Sequence, residues 1–241
     1  MTGLVHAQLL GLGTLRSTYA VSIGLVALVA LITGADVSGN AGSPGYSTPA
    51  QLQEPLVTAV GILAAVGCSL FAAARVSGDY RFGTVTQRIL ASPHRVRLLA
   101  ASFVTYGVLG LALGSLAIAT GLALALPLVA AEGLSLGLSV EVIVAPLVAV
   151  ILFTLIGTSV GVIVRNQAAS LLVVGGAFVV EKLLAMLIGD AAAFLPYGLL
   201  TPLLGLEGAT MSRGLAATAL LGVTILLGVL AAVLLSRCDV T

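Results

Sequence analysis

The stretch VIVAPLVAVILFTLIGTSVGVI, residues 142–163, runs for 22 positions without a charge and is bounded by Glu141 before it and Arg165 just after it. At 1.5 Å per residue, such a helix is about 33 Å long, which matches the ~30 Å hydrocarbon core of a bilayer. A buried helix of a soluble domain has no need of so long an uncharged run. This segment is read as a membrane span.

Working outward, the same criterion finds five more spans, at 18–34, 56–75, 99–126, 168–188 and 214–235. The apolar run from Leu98 to Ala131 is too long for one straight crossing and has no polar turn to divide it, so a tilted helix ending near Pro127 is expected. Turn signals separate the spans: GNAGSPG at 39–45, and Pro196 and Pro202 around Tyr197. The whole chain is 59% hydrophobic and 8% charged over 241 residues, with a mean hydropathy of +1.21. Soluble domains carry about 25% charged residues, so lipid is the main solvent of this chain. The expected fold is an all-α integral membrane protein of six transmembrane helices, forming a single transmembrane domain over 1–241. No internal repeat is visible. The first apolar run lacks a small-residue cleavage site followed by a soluble domain, so it is read as a span and not as a signal peptide.

Eight of the ten basic residues, Arg16, Arg75, Arg81, Arg88, Arg95, Arg97, Arg165 and Arg237, fall at the termini and in the second and fourth connections. The other connections hold Asp36, Glu54, Glu132, Glu141, Asp190 and Glu207, with only Arg213 basic. Basic residues stay on the cytosolic side, so both termini are expected in the cytosol and the protein in the cell's inner (plasma) membrane. Before the first span, Val5, Leu9 and Leu12 recur at helical spacing, with His6, Gln8, Thr14 and Arg16 on other faces. Leu4 to Arg16 is therefore expected to lie along the membrane surface as an amphipathic helix.

Several chemistries are excluded by residue type. The net charge of +1 gives no basic field for nucleic acid. Cys68 and Cys238 lie far apart, and neither the cysteines nor the two histidines form a metal-ligand pair. No phosphate-binding loop ending in G-K-[ST] is present, and the sole lysine, Lys182, follows Glu181 inside the fifth span. Gly157-Thr158-Ser159-Val160-Gly161 fits the G-x-S-x-G pattern of a serine nucleophile. A nucleophile needs a base within hydrogen-bond reach, yet His6 and His94 both fall in cytosolic segments. Gly157 and Gly161 instead form the G-x-x-x-G pair that permits close helix approach in lipid. Glu181 and Lys182 are candidates for the transport pathway or for helix packing. An ionisable group inside a membrane is a functional hypothesis by default, and a hydrogen bond between helices explains Glu181 equally well. Lys182 lies about 10 Å from the outer end of its span, within reach of the interface by snorkelling.

The connection from Arg75 to Arg97 is the densest in charge. Phe82, Val85 and Ile89 recur at helical spacing, Arg81, Thr84 and Arg88 occupy another face, and Pro93 follows. A short cytosolic amphipathic helix that docks on a partner is expected there. The run GDYRFGTVTQRILASPHR (78–95) resembles the segment between the second and third spans of type-2 ATP-binding-cassette (ABC) exporter permeases, which typically reads E-Y-R-x-G-T, an apolar stretch, then P-x-R. TLRSTY (14–19), VRNQAA (164–169) and LPYG (195–198) also resemble that family, in matching order. The resemblance covers essentially the whole chain. It implies the membrane subunit of an efflux system whose 79–92 segment is a coupling helix seated in a groove of a separate cytosolic ATPase, with Asp79, Arg81, Gly83, Thr84 and Pro93 at the family's positions. It further implies two permease copies, or one copy and a related partner, and ATP and Mg bound by the ATPase, so that this chain binds no cofactor and is not itself an enzyme. Asp79 stands where the family usually has glutamate, and Ala100 and Ala101 stand where a lysine often begins the third span. Rival readings are a proton-coupled secondary transporter using Glu181 and an intramembrane hydrolase.

Overall fold

A computed structural model of the protein describes residues 5, 6, 8, 10, 11, 16–40, 57, 59–81, 95–131, 139–206, 209 and 211–237. Among these residues the regular structure is entirely helical. The long helices are α1 (Arg16–Asn40), α2 (Ala65–Arg81, entered through a π-helical turn, Ala59–Ala64), α3 (Arg95–Ala131), α4 (Val140–Val164) and α5 (Gln167–Ile188). After α5 come a 3₁₀ segment (Gly189–Phe194), the short α6 (Leu200–Leu204) and the long α7 (Arg213–Arg237).

Six stretches are long and apolar enough to cross a membrane: Thr18–Ala35, Val60–Arg81, Val96–Ala131, Val140–Val164, Gln167–Ile188 and Arg213–Arg237. They follow the six expected spans in order, which makes this a multi-pass membrane protein by length and composition. Three boundaries differ. α1 continues beyond residue 34 to Asn40, so Asp36 lies on a helix. α2 continues beyond residue 75 to Arg81, so Arg75 and Asp79 lie on a helix and not in a loop. α3 continues through Pro127 to Ala131. A proline removes one N–H donor, but the apolar run behind it still favours helix in lipid, where Pro is tolerated within spans. At 37 residues, α3 is about 55 Å long and must extend past the hydrocarbon.

α4 is the central helix, packed against α2, α3, α5 and α7, while α1 lies along α3. Helices in lipid gain little from apolar burial alone, so close van der Waals contact and internal hydrogen bonds hold them together. The α2–α4 contact shows how. Ala65, Cys68, Ser69, Ala72, Ala73 and Ser77 form a buried face of small residues on α2. Opposite them, a Cβ on Gly157 would collide with the Ser69 carbonyl, and one on Gly161 would lie 2.9 Å from the Ala73 carbonyl oxygen. Hydroxyls at this interface return to their own helices: Thr154 Oγ1 donates to Val150 O at 2.6 Å, Thr158 Oγ1 to Thr154 O at 2.8 Å, and Ser77 Oγ to Ala73 O at 2.6 Å. Phe153, fully buried, sits at the centre of the core.

α4 and α5 are joined by a two-residue turn. Arg165 adopts left-handed backbone angles (φ 56°, ψ 7°) and its N–H closes the end of α4 on Gly161 O at 3.2 Å. Asn166 then caps α5, its Oδ1 accepting from the Ala169 N–H at 3.1 Å.

Candidate functional site

The connection between α5 and α6 does not stay at the end of the bundle. Tyr197 Oη donates to the carbonyl of Val174 at 2.8 Å. Val174 lies 14 residues (188 − 174) before the end of α5, or about 21 Å along the helix. The chain that leaves α5 at Ile188 therefore folds back along it, and Leu199, Leu200, Leu203 and Leu204 are buried in the main core. Non-helical backbone at membrane depth is tolerated only where it is enclosed by protein or lines a wet cavity, and its polar groups still need partners.

Glu181 supplies those partners. Its Oε2 accepts the backbone N–H of Tyr197 at 2.7 Å and that of Gly198 at 3.2 Å. These amides open the helical turns that continue through Leu200 N–H to Tyr197 O (3.3 Å) and Thr201 N–H to Gly198 O (3.3 Å). First-turn N–H groups have no partner within their own helix, and a carboxylate is a strong acceptor for them because of its charge and its match to the positive helix N-terminus. The Tyr197 ring is fixed from two sides, by Phe153 with centroids 4.9 Å apart and by Phe178 edge-on at 5.3 Å.

Beside this junction is a cleft of about 170 Å³, lined by Glu181, Lys182, Gly189, Tyr197, Thr201 and Pro202 among others. Lys182 is exposed on α5, and its Nζ lies 5.9 Å from the centroid of the Phe178 ring, one turn back toward the helix start. The ammonium thus lies over an aromatic ring of its own helix. Gly157 and Gly161 lie at the α2–α4 contact, remote in role from this cleft. Ser159 is buried with its Oγ donating to Leu155 O at 2.9 Å.

At the opposite end of the bundle, Asp79 (half-buried) and Arg81 (exposed) occupy the last turn of α2. Phe82, Gly83, Thr84, Val85, Arg88, Ile89 and Pro93, the remaining candidates of the docking segment, lie outside the described residues, as does Cys238. Of the N-terminal amphipathic segment, Val5, His6, Gln8, Leu10 and Gly11 are described and helical. Gln8 is clamped on α3, its Nε2 donating to Ser102 Oγ at 3.4 Å and its Oε1 accepting from Thr105 Oγ1 at 2.9 Å. Among the described residues no group of three acidic, histidine or cysteine side chains could hold a metal ion.

Sequence reasoning singled out Glu181 but not its partner. Tyr197 registered as part of a turn and of the LPYG motif, and Arg165 as a positive-side charge and part of the VRNQAA motif, with no contact assigned to either. The available signals were the apolar LPYGLLTPLL run, too hydrophobic for a solvated loop, and an arginine where a tight turn favours glycine or asparagine. The chain matches no protein-family model and no curated protein sequence.

Proposed function

We propose that this chain is the membrane subunit of an ATP-binding-cassette exporter of the type-2 class, moving a hydrophobic or amphipathic compound with energy from a separate cytosolic ATPase. The observation that carries this reading is the continuity of α2 through Asp79, Tyr80 and Arg81. The motif resembling the family's coupling segment begins on a rigid helix that is packed along α4, so a displacement there would move the bundle and not only a loop. The order of the four family-like motifs along six spans supports the same reading. Both termini would be cytosolic and the protein would sit in the plasma membrane, with two permease copies (or a copy and a related partner) and two ATPase subunits per transporter. ATP and Mg would be held by the ATPase, and closure of the ATPase dimer would drive the 79–92 segment.

Two measurements test the reading. Phe82→Ala should weaken co-purification with the partner ATPase, since a buried aromatic anchor is worth about 2 kcal/mol or more on truncation. Arg97→Ala should leave co-purification unchanged. Thiol labelling of Ser43→Cys and Ser92→Cys should come from opposite sides of the membrane, and labelling of both from one side would break the six-span topology. The rival, proton-coupled reading requires transport by the purified chain in a proton gradient without ATP. The bonding of Glu181 to two backbone amides favours a structural duty for that carboxylate.

A further inference from the structure

Three long helices, α2, α4 and α7, bring their C-terminal ends to one place, and one side chain touches all three. Arg165 Nη2 donates to the Leu234 carbonyl of α7 at 3.3 Å, its Nε donates to the Val162 carbonyl of α4 at 3.4 Å, and its guanidinium carbon lies 5.5 Å from the centroid of the Tyr80 ring on α2. The last four carbonyls of a helix lack intrahelical donors. Leu234 and Val162 are both among them, given helix ends at Arg237 and Val164. Each of the three ends also carries the partial negative charge of its macrodipole, so a cation placed among them is stabilised by all three. The planar fork of arginine suits this, because it donates to two carbonyls while its face stacks on a ring.

The backbone does not explain the residue. Arg165 is the one described non-glycine with positive φ, a conformation that glycine or asparagine adopts at lower cost. Strain held at a single non-glycine position points to a duty for its side chain. We infer that Arg165 is a positioning residue that locks the ends of α2, α4 and α7 into one body, so that a force entering at the end of α2 reaches α4 and α7. The locking stands on geometry alone, and its use in transport rests on the exporter reading above.

Hydrogen exchange of the full chain in lipid nanodiscs tests the lock without any partner. Arg165→Asn keeps a residue suited to the left-handed turn and removes the guanidinium. It should speed amide exchange about tenfold in the last turn of α7, which loses a hydrogen bond from a charged donor, and about threefold in the last turn of α2, which loses the cation–ring contact, while the α4–α5 turn stays protected. Arg165→Lys, which keeps the charge but not the fork, should fall between. Tyr80→Leu should loosen the α2 end alone, and it decides the matter if Arg165→Asn does not accumulate. Unchanged exchange at both helix ends overturns the lock. In a complex with the ATPase, Arg165→Asn should retain co-purification but move less substrate per ATP hydrolysed. Faster exchange in a chain whose wild type binds no ATPase would leave the lock standing and remove the exporter reading instead.

Discussion

α4 and α5 are neighbours of nearly equal length and hydropathy, yet 61% of the apolar stretch of α4 is buried within the chain and only 6% of that of α5. α4 carries glycines at 157 and 161 against the small-residue face of α2, and its stability comes from backbones approaching closely. α5 carries Leu171, Leu172, Val179, Val180, Leu183, Met186 and Leu187 outward, and its inner side packs on α2 and α4 and is tied to the folded-back segment by the Glu181 carboxylate and by Tyr197. Equal hydropathy places two helices in the same solvent, but residue size and hydrogen bonding decide how each is held.

The largest effect should come from filling the α2–α4 contact. Gly157→Val drives a branched side chain into the Ser69 carbonyl and is expected to cost about 3 kcal/mol, the upper end for overpacking. Thermal unfolding in detergent reads the loss. Gly176→Ala on α5, where a Cβ meets nothing within 4 Å, should be close to neutral in the same assay. Similar losses for the two would mean that α4 is not held by close approach.

The next effect tests the other mode of attachment. Glu181→Leu strips the acceptor from the Tyr197 and Gly198 amides and should cost about 2 kcal/mol, whereas Glu181→Gln retains an acceptor and should cost less than half of that. Limited proteolysis between α5 and α7 would report release of the folded-back segment. Wild-type protection in Glu181→Leu would show that the carboxylate does not hold it. Loss of transport by Glu181→Gln in a well-folded chain would restore a proton-carrying role.

Tyr197→Phe is smaller still. It removes the bond to Val174 O but keeps the ring between Phe153 and Phe178, so about 1 kcal/mol is expected. The smallest effect belongs to the ion pair between Arg213 and Glu141, which ties the starts of α7 and α4 with both side chains largely exposed. Arg213→Ala should change stability by less than about 1 kcal/mol, and added salt should erase most of that.

The six spans, their order and the close-packed glycines were legible because each depends on a local sum. About twenty apolar residues either do or do not outweigh their few charges, and G-x-x-x-G places two small residues on one helical face wherever it occurs. Run ends were less legible. α2 and α3 extend past their expected limits because a helix continues into the polar zone as long as no residue there stops it, and neither Gly78 nor Pro127 does.

What the sequence by itself determined is the solvent of each segment: which stretches enter lipid, which contain charge, and that Glu181 inside a span needs a partner. Only the tertiary structure decided who the partner is. Tyr197 lies 16 residues from Glu181, and Leu234 lies 69 residues from Arg165. Transfer from water to lipid is an energy summed along the chain, residue by residue. A hydrogen bond in that lipid depends on where the chain returns, and the apolar run 195–204 signals burial without specifying which helices receive it.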